Sequence, residues 1–172
     1  GRMPMPSVSV FKCQLVKEQE YPFSGTVSAP EVAGNFLRSY FEGLDRETVA
    51  VLLLNTKNNV IGLSTISVGT LNASLVHARE VFKVAILGSA SSIILAHNHP
   101  SGDPTPSHED TIITEKMERA GEVLGIACRD HLVMGDSGFY SFTTKKKYTY
   151  ERRDQYDDRR SVRPATGEIS EL

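Results

Sequence analysis

The spacing of apolar positions along the chain changes several times, and each change marks an element. Residues 8–16 mix β-branched and apolar side chains with polar ones and read as a first strand, and 21–29, with Pro22 and Gly25, read as a loop. From Pro30 the period lengthens. Val32, Phe36, Leu37, Tyr40 and Phe41 recur at helical spacing, with proline in the first turn and Gly43 near the end, so an amphipathic helix is expected over 30–44. Residues 48–54 are almost wholly apolar, 55–59 supply turn chemistry, and 60–68 resume strand character, which predicts a buried hairpin. After Gly69 and a short polar loop, a second helix is expected over 79–87 and a short buried strand over 92–96. A Pro/Gly/Ser loop covers 100–106, and a long helix runs from Ser107 through Ile112, Ile113, Met117, Ala120 and Leu124 to Gly125. Residues 131–134 and 139–142 flank Asp136-Ser137-Gly138, a second hairpin signal. The reading is one α/β domain of the α+β type over 8–144, with 1–7 as an N-terminal extension. From Lys145 the composition turns to mixed charge with almost no aliphatic residues, so 145–172 is expected to be a charged tail. No internal repeat is visible.

Composition narrows the class. At 172 residues and 40% hydrophobic content, the chain can bury one real core. A formal net charge of -2 gives no basic field, so nucleic-acid binding is not supported by charge, and Lys145-Lys146-Lys147 is balanced by Glu151, Asp154, Asp157 and Asp158. Two cysteines far apart, Cys13 and Cys128, argue against a disulfide framework or a cysteine zinc site and read as reduced core thiols. No apolar run nears the roughly 18 residues needed to span a bilayer, so no membrane is implied and a soluble, cytoplasmic protein is expected.

The chemistry lies in 96–110. In a strand, alternate side chains share a face, so His97 and His99 point one way and Asn98 the other. Past the loop, Asp110 falls in the first turn of the next helix, where its carboxylate can return to the same point. Two imidazoles and one carboxylate leave one position of a tetrahedral zinc ion open, the pattern of a catalytic site. There a water would ionise with a pKa of roughly 7. Duller readings exist for each piece. Ser107-His108-Glu109-Asp110 also fits a capping box, and the prolines and Gly102 fit ordinary turn chemistry. The joint occurrence favours metal.

At these residues the sequence resembles a known family. His97-x-His99-Pro100-Ser101 followed by Asp110 is similar to the core motif of the JAMM, or MPN+, metalloproteases, and His97-Asn98-His99-Pro100-Ser101-Gly102-Asp103-Pro104-Thr105-Pro106-Ser107 resembles the RadC-like branch. Gly69-Thr70-Leu71-Asn72, Glu80-Val81-Phe82-Lys83 and Asp130-His131-Leu132 add to the likeness. The resemblance implies a curved mixed sheet between helices, of cytidine-deaminase-like architecture, with zinc held by His97, His99 and Asp110. It further implies hydrolysis of peptide or isopeptide bonds in a peptide or protein substrate, with a glutamate upstream as general base and a serine hydroxyl for the developing oxyanion. Glu47 fits the glutamate, with Glu80 as the runner-up, and Ser101 fits the serine. On composition alone Glu47 reads as a solvated charge, Glu80 as a surface charge and Ser101 as a turn serine. His77, His108 and His131 read as structural or solvated. Before Val8 there is no room for the helix-hairpin-helix region often present in the RadC-like branch, so a free-standing domain is expected and DNA repair, which the branch's name suggests, is less favoured.

Two other classes compete. An MPN-type scaffold would act through partners, but many such domains lack the ligands that are present here. An HNH nuclease would need its His and Asn dispersed over a ββα-metal unit in basic surroundings, so the adjacent His97-Asn98-His99 is a coincidence of spelling.

Overall fold

The computed structural model describes residues 1–23, 25–69 and 76–152. The expected polar loop after Gly69 and most of the expected tail lie outside them. The elements follow in the order α1 (Pro30–Phe41), β1 (Thr48–Leu54), β2 (Val60–Val68), α2 (Ala78–Leu87), β3 (Ser92–Asn98), α3 (His108–Leu124), β4 (Ala127–Met134), β5 (Gly138–Ser141) and β6 (Lys146–Thr149). They build one six-stranded mixed sheet in the order β2-β1-β3-β4-β5-β6, flanked by helices, which is the α/β class expected. Among these neighbours only β3 and β4 run parallel, because α3 carries the chain back across the sheet between them.

Strand alternation divides the core in two. Ala50, Leu52 and Leu54 of β1, Ile94 and Ala96 of β3, and Leu132 and Met134 of β4 pack with Ala33, Phe36, Leu37 and Phe41 of α1. The intervening Val49, Val51, Leu53, Ile93 and Leu95 pack with Val81 and Phe82 of α2 and Ile113 and Met117 of α3. A sheet covered on both faces has no solvent side, which is why β1 and β3 read as unbroken apolar runs. The same parity sends His97 toward α3 and Asn98 toward α1.

Four expectations need correction. Residues 8–16 form no strand; Phe11 is 86% exposed, and the segment has strand propensity without a neighbour to complete its ladder. The helix expected to reach Leu44 stops at Phe41, and Gly43 takes a left-handed φ of 81° that turns the chain toward β1. The segment read as a tail begins instead with β6, and Tyr150 is buried, its hydroxyl donating to the Gly135 carbonyl (2.9 Å) while the Arg38 guanidinium lies 4.7 Å over its ring. A short strand with one aromatic anchor is held by its neighbour rather than by its composition. Finally, Cys13 is exposed and only Cys128 is largely withdrawn from solvent.

The two thiols should therefore differ in reactivity. Burial pushes the Cys128 thiol up to about 12, with Glu118 and Asp130 adding to the shift. Since the thiolate is the nucleophile, folded protein at mildly basic pH is expected to give one fast-reacting thiol with a disulfide reagent and a second only after denaturation. Two fast thiols in the native protein would contradict this packing. Among the described residues no helix is long and apolar enough to cross a membrane.

Candidate metal centre

The site sits where β1 and β3 end beside the start of α3. Val49 pairs antiparallel with His97. Glu47, two residues before Val49, reaches the same corner as His97 and His99. One ligand atom from each of Glu47, His97 and His99 lies within 4.8 Å of the others. Glu47 is half-buried at the entrance to β1, and its own carbonyl accepts from Gly69 N (2.7 Å). Although β3 ends at Asn98, His99 N still donates to the Met134 carbonyl (3.0 Å), so the alternation that aligns the two histidines continues through His99.

Asp110 arrives from the opposite direction. Ser107 is the N-cap of α3, its hydroxyl accepting from Asp110 N (3.1 Å) while its own N–H donates to Asp110 Oδ2 (2.7 Å). This capping box holds the carboxylate, fully buried, against both imidazoles. Asp110 Oδ1 lies 3.0 Å from His97 Nε2, Asp110 Oδ2 lies 3.1 Å from His99 Nε2, and the two Nε2 atoms are 3.1 Å apart. Cap and inward-facing carboxylate thus coexist in one residue.

The donor chemistry tests whether a cation fits here. His99 Nδ1 is 2.8 Å from the Asp103 carbonyl, which can only accept, so Nδ1 carries the proton and Nε2 presents a lone pair to the cluster. Asp110 Oδ1, buried, makes no well-directed hydrogen bond among the described residues. An orphaned carboxylate oxygen facing imidazole lone pairs requires a shared proton or a cation. The proton answer appears in the acid–base behaviour. Its hydrogen bond to Asp110 raises His99, against the lowering effect of burial. Burial works against ionising Asp110, yet the neighbouring His97 and His99 outweigh it and hold the carboxyl well below the usual carboxylate range. A divalent cation answers the same demand. Zinc bound by nitrogen and oxygen in a tetrahedron sets its ligands about 3.3 Å apart, close to the spacing here.

The loop after His99 is held in place by Gly102 N donating to the His99 carbonyl (2.9 Å), Asp136 N donating to the Gly102 carbonyl (2.8 Å) and Thr105 N donating to Asp103 Oδ1 (2.9 Å). Gly135 permits that seating. A Cβ there would run into the Gly102 carbonyl oxygen and stand 2.7 Å from Pro104 Cδ. Gly135→Ala is therefore expected to lower stability by about 1–3 kcal/mol in denaturant unfolding, and to weaken metal binding because the loop supplies the carbonyl that orients His99. Wild-type stability in this variant would show the contact to be soft.

The other residues singled out in the sequence fall as follows. Glu80 lies on the outer face of α2, 3.1 Å from Lys83 Nζ, in a surface pair. Ser101 is exposed on the loop, its Oγ accepting from Asp103 N (3.4 Å). His108 is exposed, and His77 is half-buried at the N-cap of α2. His131 takes the structural of its two expected roles: it is 1% exposed, its Nε2 lies 2.8 Å from His97 Nδ1, and burial followed by the neighbouring His97 pushes its pKa well below the usual histidine value. The signal available in the sequence was parity, since Leu132 and Met134 go to the α1 face and His131 must go to the other. Asn98, on the far face, donates through Nδ2 to the Arg46 carbonyl (3.0 Å) and accepts at Oδ1 from Thr48 N (2.7 Å), bridging the backbone on both sides of Glu47. A cleft of about 240 Å³ opens beside the centre, lined among others by Arg38, Phe41, Asn98, His99 and Asp136.

Residues 27–148 match the family described as RadC-like JAB domain. The chain is 52% identical over 119 residues to a UPF0758 protein of Desulforamulus reducens, covering 69% of this chain and 52% of that one. It is 55% identical over 111 residues to a UPF0758 protein of Moorella thermoacetica, covering 64% and 48% respectively. To that of Thermotoga maritima it is 54% identical over 99 residues, 58% of this chain and 45% of the other. The chain spans about half the length of these curated relatives.

Proposed function

Because this chain belongs to the RadC-like JAB domain family, we propose that it is a zinc-dependent hydrolase acting on peptide or isopeptide bonds. The observation that carries the reading is the meeting of His97 Nε2 and His99 Nε2, 3.1 Å apart, on the buried Asp110 carboxylate, whose orphaned Oδ1 lies 3.0 Å from His97 Nε2 and whose Oδ2 lies 3.1 Å from His99 Nε2. These three residues would hold the ion and leave a fourth position open. Zinc, when bound, supplies a Lewis acid that brings the pKa of a water down to about 7. Glu47, at the same corner as His97 and His99, takes the proton from the attacking water and returns it to the leaving amine, the work of a general base and then a general acid. Asn98 steadies it by holding the peptide groups on either side. Ser101 donates its hydroxyl proton to the developing oxyanion; Asp103 N occupies its acceptor side and leaves that proton available. Ser107 is a second candidate hydroxyl, held against Asp110, so Ser101→Ala and Ser107→Ala are measured as a pair, and the larger loss of turnover identifies the donor.

The test measures zinc by elemental spectrometry and hydrolysis of a peptide and isopeptide panel on the same samples, before chelation, after chelation and after zinc is restored. Expected are about one zinc per chain and hydrolysis that disappears and returns with the metal. Hydrolysis that persists without zinc would remove the metal from the chemistry. Fully loaded protein inactive on the whole panel would favour a scaffold that acts through partners.

A further inference from the structure

Resting on the metal site of the preceding section, we propose that Thr114 and His131 are positioning residues that fix the ring tautomer of His97 and thereby set the affinity of the site for a divalent metal ion. One chain of hydrogen bonds joins them to the site. Thr114 Oγ1 lies 2.8 Å from the Asp110 carbonyl, one turn back along α3. A carbonyl only accepts, so the single hydroxyl proton of Thr114 is directed there. The same oxygen lies 2.6 Å from His131 Nδ1, which must then be the donor. A neutral imidazole carries one ring proton, and His131 has placed it on Nδ1, so its Nε2 accepts. His97 Nδ1, 2.8 Å from that Nε2, becomes the donor, and the lone pair of His97 is left on Nε2, the atom facing His99 and Asp110.

No step is exposed to competing water. Thr114 is 5% exposed, His131 1% and His97 1%. The His131 ring plane is held by Phe142 stacked at 5.1 Å, and its backbone N–H by Asp130 Oδ1 at 2.7 Å. The relay also closes on itself: it leaves His97 of β3, crosses β4 and returns through α3 to the backbone of Asp110. Two of the three proposed ligands are therefore tied to each other behind the metal position as well as across it. A buried partner that holds a ligating histidine in the right tautomer is worth metal affinity even though it never touches the ion.

Replacing Thr114 by valine removes the acceptor for His131 Nδ1–H. A buried N–H facing a methyl group is costly, so the proton moves to Nε2. His97 Nδ1 must then accept, and its proton goes to Nε2, where it blocks the metal position. The test uses the full chain, metal-free, with zinc titrated against a chromophoric chelator, and nitrogen-15 NMR of the histidine rings as a second readout. Expected for Thr114→Val is a zinc affinity weaker by about 10- to 100-fold, the cost usual for losing such a partner, with His97 shifted from the Nδ1–H to the Nε2–H form. Thr114→Ser, which keeps the hydroxyl, should restore both. Wild-type affinity together with an unchanged His97 tautomer in Thr114→Val would overturn the proposal. If the valine variant does not fold, Thr114→Ala removes the same hydroxyl without the branched side chain and is read in the same way. The ring tautomers are recorded without metal, which keeps the two claims apart. A wild-type chain that binds no zinc sinks the hydrolase reading, while the His97 spectrum alone still supports or overturns the relay.

Discussion

Glu47→Gln should keep its zinc and lose hydrolysis by about 100- to 10,000-fold, the usual contribution of a positioned proton carrier. The amide preserves the volume and hydrogen-bonding reach of the carboxylate at the mouth of β1, so the strand ladder and the bridge from Asn98 to Arg46 and Thr48 remain in place. What it cannot do is accept the proton of the attacking water. Metal content of the variant separates this outcome from loss of the site. Glu80→Gln is the control, because Glu80 is paired with Lys83 in a surface contact of small energetic value. A Glu47→Gln enzyme within about threefold of wild type would fall below any general-base contribution and remove Glu47 from the mechanism. A dead Glu80→Gln beside an active Glu47→Gln would exchange the two roles.

Loss of the metal itself is the second large effect. His97→Ala and Asp110→Ala each remove one of the three proposed ligands of an open site, and both are expected to be purified without stoichiometric zinc. They should differ in stability. Asp110 also completes the capping box of α3, so its removal costs about 1 kcal/mol in urea unfolding through the lost cap alone. Asp110→Asn separates the two functions: the amide oxygen can still accept from Ser107 N, but the remaining position is an NH₂ group that offers a cation no lone pair. Expected is a variant with nearly the wild-type helix and no zinc. Full zinc stoichiometry in both His97→Ala and Asp110→Ala would show that the ion is held elsewhere.

How far the sequence foretold this structure depends on how local each feature is. The hairpin of β1 and β2, the buried strand β3 and the capped start of α3 are written in short-range signals: unbroken apolar runs, turn residues and the Ser107-x-x-Asp110 spacing. The convergence of His97, His99 and Asp110 follows from strand parity and loop return, which are also local. Residues 8–16 misled because β propensity describes a side chain that suits a pleated surface, whereas a strand exists only with a partner. For β6 the error was opposite, since four residues rich in lysine have little strand signal of their own and are held by β5 and the seating of Tyr150. The contacts of His131 and Asn98 were not foreseen for a third reason. Each has a contact with a residue more than thirty positions away, His131 with His97 and Asn98 with Thr48, and pairings of that range depend on strand order, which periodicity does not encode.

The order of strands has an energetic meaning for the site. Glu47 stands at the mouth of β1, His97 and His99 run along and just past β3, and His131 lies on β4. These three strands are each bonded to neighbours on both sides, with β2 on one flank and β5 and β6 on the other. Hydrogen bonds in such a position open only when the whole domain opens, while fraying is confined to the margins. An ion bound at the proposed site would therefore meet ligands already gathered, with little of its binding energy diverted into ordering the backbone around it.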